Sequence, residues 1–363
     1  MTGALFDIAP SGHSAERAEV LELTYSTRAM WMNCQKAYQN RHIRQLVPLE
    51  TNTNLRFGSL IHECLEKWHG GTSLDDVLAY IDTACEKRTL EPDVKQAWHY
   101  ATAMMRGYAR RYPKETWTVI ALEKKFTGPI INPETGAASR SFVLSGKVDG
   151  IVNQAEDTPD LGAGNYIVET KTAAMIDGDY IDKLWMDFQI NLYAHYVEQV
   201  MNIPIAGIIY NVLMKTKLKQ SAGETWEEFK ERYVAACAKN KSGKSTATQQ
   251  MPETDGAFDA RLDEKYNDPS AFHREVILLD RDRLTGLQYT LWNTTKTMLE
   301  ARRRNFYEEN APGQCYNFGG FHRKCSYHAI CRSNENPIVV QTQYRVEAPN
   351  SELRCEAEAE PVF

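Results

Sequence analysis

The segment "YIVETKTA", from Tyr166 to Ala173, sets Glu169 and Lys171 two residues apart in an otherwise apolar run. Side chains alternate faces along a strand, so both groups point to one side. In the preceding strand-like run, "GKVDGIV", Asp149 stands among valine, glycine and isoleucine. Aspartate is a poor strand former and is costly to bury unless paired or bound to a metal. If the two runs pair across the connecting "NQAEDTPDLGAG", two carboxylates and an ammonium meet at one spot. Two carboxylates held together repel, and a divalent cation resolves the conflict. An isolated E-x-K is usually a surface ion pair, so the weight rests on what accompanies it.

Two further patterns accompany it. Upstream, "FGSLIHECLEKW" carries Phe57, Leu60, Ile61, Cys64, Leu65 and Trp68 on one helical stripe, with His62 beside it. Downstream, "DFQINLY" puts Gln189 and Tyr193 one helical turn apart on the same face. Together, Asp149 with Glu169-Thr170-Lys171 resembles the D…(D/E)-x-K core of the PD-(D/E)XK nuclease superfamily, without its name-giving proline. "GSLIHECLE" is similar to the G-x-x-x-H helix of the RecB-type branch, and Gln189 with Tyr193 matches that branch's Q-x-x-x-Y helix.

The resemblance implies a metal-dependent deoxyribonuclease, most simply an exonuclease of DNA recombination, repair or phage DNA processing. One or two Mg²⁺ or Mn²⁺ ions would be held by His62, Asp149, Glu169 and the Thr170 carbonyl. Lys171 would orient the attacking water and offset developing charge. Gln189 and Tyr193 would hold the DNA backbone or keep the catalytic strand in register. Glu123 in "ALEKKF" has two readings, a further acid near the metal or a strand-edge charge, and Glu66 reads as solvated or as a partner of the ligands. Two rival functions share the same fold: a DNA-binding module without turnover, and a structure-specific endonuclease.

Of eight cysteines, Cys315, Cys325 and Cys331 cluster as C-x9-C-x5-C, and Cys34 stands near the other end of the chain. One early and three late cysteines resemble the iron-sulfur staple of AddB-type and CRISPR-associated RecB-like exonucleases, in which Tyr38 matches an aromatic four residues past the first cysteine. That likeness implies a [4Fe-4S] cluster on four thiolates. Zinc held by three cysteines with His322 or His328 is the alternative, as are unliganded thiols. Gln35 and the wide Cys315–Cys325 spacing depart from the relatives' pattern.

The elements that must position these groups are legible from periodicity. Helices are expected over 57–68, 73–88, 93–112, 182–201, 224–239 and 281–304, and strands over 117–126, 141–152, 165–173 and 206–215. The order predicts an α/β fold with a mixed central sheet flanked by helices, its middle strands forming a hairpin, and a helical region stapled from the two ends. A single domain over 21–335 is expected, with loose tails at 1–20 and 336–363 and a flexible insertion near 238–262.

With 42% hydrophobic residues the chain can bury a large core, and its net charge of −6 excludes wholesale coating of nucleic acid while permitting a local basic track. "RHIR", "RGYARRY" and "KTKLK" are candidate phosphate contacts, each more simply a solvated face. "GKS" at 243–245 is no phosphate loop, because Ala238 stands where the motif needs glycine. Without that loop there is no built-in helicase, so a helicase or single-strand annealing partner is a candidate. No run is long enough to span a bilayer and the opening lacks a signal-peptide pattern, so no membrane association and a cytoplasmic location, in a bacterium or a phage host, are expected.

Overall fold

A computed structural model of the chain describes residues 20–49, 53–86, 92–240, 244–310, 312–316, 324–350 and 353. The first part is helical after a short strand: β1 (Leu21–Leu23), α1 (Tyr25–Asn33), α2 (Gln35–Tyr38) continued by a π-helical turn, β2 (Leu46–Pro48), α3 (Thr53–His69), α4 (Leu74–Glu86) and α5 (Pro92–Arg111). Then follow β3 (Thr118–Ile131), β4 (Ala138–Gln154), β5 (Gly164–Ala173), α6 (Gly178–Trp185), α7 (Phe188–Met201) and β6 (Gly207–Met214). The remainder comprises α8 (Trp226–Lys239), α9 (Asp255–Asn267), β7 (Phe272–Leu278), α10 (Arg281–Arg304), α11 (Pro312–Tyr316), α12 (His328–Arg332), α13 (Pro337–Gln343) and β8 (Tyr344–Val346).

The main sheet runs β1-β4-β5-β6-β7, with β3 along the other edge of β4. It is mixed: β1 is parallel to β4 and β5 to β6, while β3–β4, β4–β5 and β6–β7 are antiparallel. Every residue of β6 except the last is buried, as an apolar run covered on both faces requires. One face packs α7 and α10 around Tyr193, Val197, Tyr210 and Met298. α3, α4, α5 and α9 build a second core around Phe57, Ile81, Met104 and Phe258.

One feature of β4 positions the candidate site. Along the edge that β3 does not use, β4 pairs with β1 at 142–144 and with β5 only from Gly150 onward. Residues 145–149 therefore face a gap in the sheet, and Asp149 stands at its rim. Gly146 lies in the same gap, where a Cβ would come within 2.6 Å of the Phe126 ring and 2.8 Å of the Tyr193 ring. Only glycine lets those two rings close over the strand.

Several expectations need correction. The helix expected over 182–201 is two helices, because Asp187 takes an extended backbone and caps α7 through Gln189 N–H. The expected insertion near 238–262 runs into α9, whose Phe258, Leu262 and Tyr266 form a buried stripe that polar neighbours obscure in the sequence. The expected loose C-terminal tail is ordered in part: α13 follows residue 336, and β8 pairs with β2. Arg41 fixes this segment by donating to the Glu347 carbonyl at 2.8 Å, and Tyr327 donates to the Leu46 carbonyl at 2.9 Å. The expected N-terminal tail up to residue 19, His322, and the chain beyond 353 lie outside the described residues.

Candidate active site

Asp149 reaches across the gap and accepts a hydrogen bond from the backbone N–H of Thr170 at 2.7 Å. Its other oxygen lies 3.2 Å from His62 Nδ1, so α3 is tied to the sheet at this point. On β5, Lys171 Nζ lies 2.6 Å from Glu169 Oε1, and Gln189 Nε2 donates to the same oxygen at 3.4 Å. His62 with Asp149, and Lys171 with Glu169 and Gln189, thus form two polar groups, drawn from four elements, that meet at Thr170, whose N–H holds Asp149 and which lies between Glu169 and Lys171 on β5.

Burial and charge pull against each other here. Burial pushes the Asp149 carboxyl up, but His62, the Thr170 N–H and Lys171 together hold it below the usual carboxylate range. Burial raises Glu169, Lys171 offsets part of that, and Asp149 raises it further, so this carboxyl sits above its ordinary value. Burial works against the charged forms of His62 and Lys171, yet the facing carboxylates win and raise both. Each acid thus has a basic side chain beside it, His62 for Asp149 and Lys171 for Glu169. Among the described residues no three His, Cys, Asp or Glu side chains converge as ligands of a single ion. The donor set of two carboxylates and an imidazole suits Mg²⁺ or Mn²⁺ chemically.

Tyr193 is 6% exposed, its ring set edge-on against Phe126 with centroids 4.8 Å apart. That burial leaves it little surface for a substrate and places it as a prop beneath the gap. Glu123 lines a narrow cleft with His62, Glu66, His69, Asp149 and Thr170. Burial, with Asp149 and Glu66, raises its carboxyl despite an ion pair with Lys147. It sits at positive φ (47°) between Leu122 and Lys124, which pair with Gly150 and Val148 on either side of Asp149, so it is part of the site's surroundings rather than a plain edge charge.

Sequence reasoning passed over Asp187. It caps α7, accepts from Tyr210 Oη at 3.0 Å, and adds a carboxylate that raises Lys171. Its signal was an aspartate directly before the apolar-periodic run "FQINLY". Lys147, two residues before Asp149, was passed over as well.

The sequence profile of the PD-(D/E)XK nuclease superfamily matches residues 22–332, most of the chain. The chain belongs to the PD-(D/E)XK nuclease superfamily. No curated protein matches it. Membership implies a metal-dependent nuclease, and a nuclease of this superfamily acts on DNA with Mg²⁺ or Mn²⁺ typical. The superfamily's mixed sheet between helices is the architecture described above. Among the described residues no helix is long and apolar enough to cross a membrane.

The four patterned cysteines come from both ends of the chain. Cys34 lies between α1 and α2, Cys315 on α11 and Cys331 on α12, while the Cys325 N–H donates to the Cys315 carbonyl at 2.7 Å. Burial pushes the Cys325 and Cys331 thiols up to about 11, and Cys34 and Cys315 push both in the same direction. Cys34 and Cys315 therefore lie near enough to Cys325 and Cys331 to act on them electrostatically.

Proposed function

We propose that this nuclease is an exodeoxyribonuclease of the RecB-like, AddB-type branch, acting in DNA recombination, repair or phage DNA processing. The observation that carries the catalytic part is the Asp149 carboxylate, held by the Thr170 N–H at 2.7 Å beside the Glu169–Lys171 pair in the sheet gap. His62, Asp149, Glu169 and the Thr170 carbonyl are the proposed holders of Mg²⁺ or Mn²⁺. When bound, the ion supplies Lewis-acid polarisation of the scissile phosphate and a lowered pKa for the attacking water.

The chain's own groups do the rest. Lys171 carries its charge firmly, so its ammonium orients the water and offsets charge building on the phosphate. Gln189 keeps Glu169 in place through its amide, and Tyr193 props the gap open from below. Glu123 and Lys147 set the field on the far side of Asp149.

The cysteines support the branch assignment. Cys34, Cys315, Cys325 and Cys331 are the proposed ligands of a [4Fe-4S] cluster, a group that four thiolates suit, and the Cys325 N–H bond to the Cys315 carbonyl at 2.7 Å supports this by tying two of their segments together. The cluster would reinforce a junction that β2–β8 pairing and the Arg41 bonds already make.

Nuclease assays on end-labelled linear and covalently closed circular DNA, with and without Mn²⁺, test the function. Release of nucleotides from linear DNA alone is the expected result. Nicking of the closed circle would instead assign an endonuclease, and binding without release under any metal would assign a non-catalytic module.

A further inference from the structure

α6 connects the catalytic strand to α7, and it ends in two large apolar residues that the fold leaves outside. Trp185 is 48% exposed and Met186 is 73% exposed, whereas the neighbouring Leu184 is buried in the core. Trp185 and Met186 are adjacent in sequence and both largely open, so they make a small apolar patch rather than a single scattered side chain.

Trp185 is nonetheless held. Its Nε1–H donates to Glu275 Oε1 at 3.0 Å, and the other oxygen of Glu275 lies 2.9 Å from His273 Nε2. Glu275 shares a rung of the sheet with Glu169, through Tyr210 between them. At a strand spacing of ~4.8 Å, the Cα atoms of Glu169 and Glu275 are about 10 Å apart. Met186 is three residues before Gln189, whose amide touches Glu169. An oriented, half-open indole thus stands within a nucleotide or two of the candidate catalytic carboxylates.

Resting on the nuclease reading, we infer that Trp185, backed by Met186, is a stacking platform for an unpaired base of the DNA strand next to the scissile bond. The charges of α6 are Asp179, Asp182 and Lys183, which give phosphate no net attraction. Recognition here is therefore by the ring, and a base face is the part of DNA that a ring accepts whatever the sequence. Inside a duplex those faces are covered by neighbouring pairs, so the platform selects single strands and frayed ends.

The test uses the full chain with a short single-stranded oligothymidine carrying 2-aminopurine near its end. Binding is followed in Ca²⁺ and turnover in Mn²⁺, for the unaltered protein, Trp185→Phe and Trp185→Ala. Stacking quenches 2-aminopurine in the unaltered protein, less so in Trp185→Phe, and Trp185→Ala abolishes the quenching. Trp185→Ala also weakens binding and raises KM by about 5- to 150-fold, the range of one base–aromatic stack, with Trp185→Phe recovering part of the loss. If the unaltered protein hydrolyses DNA while Trp185→Ala keeps its KM and its 2-aminopurine signal, the platform is wrong and the nuclease reading survives. If the unaltered protein neither binds nor hydrolyses DNA, both fall together.

Discussion

Asp149 accepts a hydrogen bond from the Thr170 N–H at 2.7 Å across a stretch where β4 and β5 no longer pair. The carboxylate takes the place of a missing ladder bond, so one side chain both closes the sheet and carries the charge of the candidate site. Its two tasks separate by substitution. Asp149→Asn keeps an acceptor for the Thr170 N–H and loses the charge, so it should fold normally and lose activity by about 100-fold or more. Asp149→Ala leaves a buried N–H unpaired and should in addition lose ~1–3 kcal/mol of stability. Urea unfolding and nuclease rates on the same two preparations check this, and equal stability in both variants would contradict it.

Gly146 tolerates no side chain, since a Cβ would meet the rings of Phe126 at 2.6 Å and Tyr193 at 2.8 Å. Gly146→Ala should destabilise by about 1–3 kcal/mol through overpacking. It should also lower activity, because Tyr193 shares α7 with Gln189. Denaturation midpoints and kcat, measured together, report both effects.

Stability should fall with acid because two half-buried histidines, His69 and His42, are held neutral in the fold. Burial lowers His69 and His42 from 6.5 to about 4, with Arg274 and Arg41 acting in the same direction. The unfolded chain therefore binds more protons between these values. The contribution is complete above 6.5 and is lost as the pH drops toward 4. Each histidine accounts for roughly 3 kcal/mol across that window. Urea midpoints at successive pH values should decline in that range, and more shallowly in His69→Gln.

Protein purified without oxygen should show a broad visible absorbance with four iron and four sulfide per chain, the stoichiometry of [4Fe-4S]. Cys34→Ser and Cys331→Ser should each lose it together with a fall in melting temperature, whereas Cys237→Ser should not. A colourless preparation with one zinc per chain would replace the cluster by the zinc alternative.

Much of this protein is legible in its sequence. The strands "SFVLSGKVDGIV" and "NYIVETKTA" and the helix stripe from Phe57 to Trp68 follow from local periodicity, which needs no knowledge of neighbours. The set Cys34, Cys315, Cys325 and Cys331 and the triplet Asp149, Glu169 and Lys171 stand out by their resemblance to family patterns. The family match over 22–332 agrees with that triplet's resemblance. α9 and β8 escaped because their apolar residues are few and matter only through partners distant in sequence, α5 for one and β2 for the other.

What the sequence determined by itself was the inventory of acids, bases and thiols, together with the local runs that carry them, because both are properties of nearest neighbours along the chain. The gap in β4, the Thr170 N–H that Asp149 satisfies there, the burial of Tyr193 and the exposure of Trp185 were decided only in three dimensions. Each depends on which strand lies beside which and on how far the pairing runs. Those are long-range packing outcomes, set by the competition of whole faces for the core rather than by any local pattern.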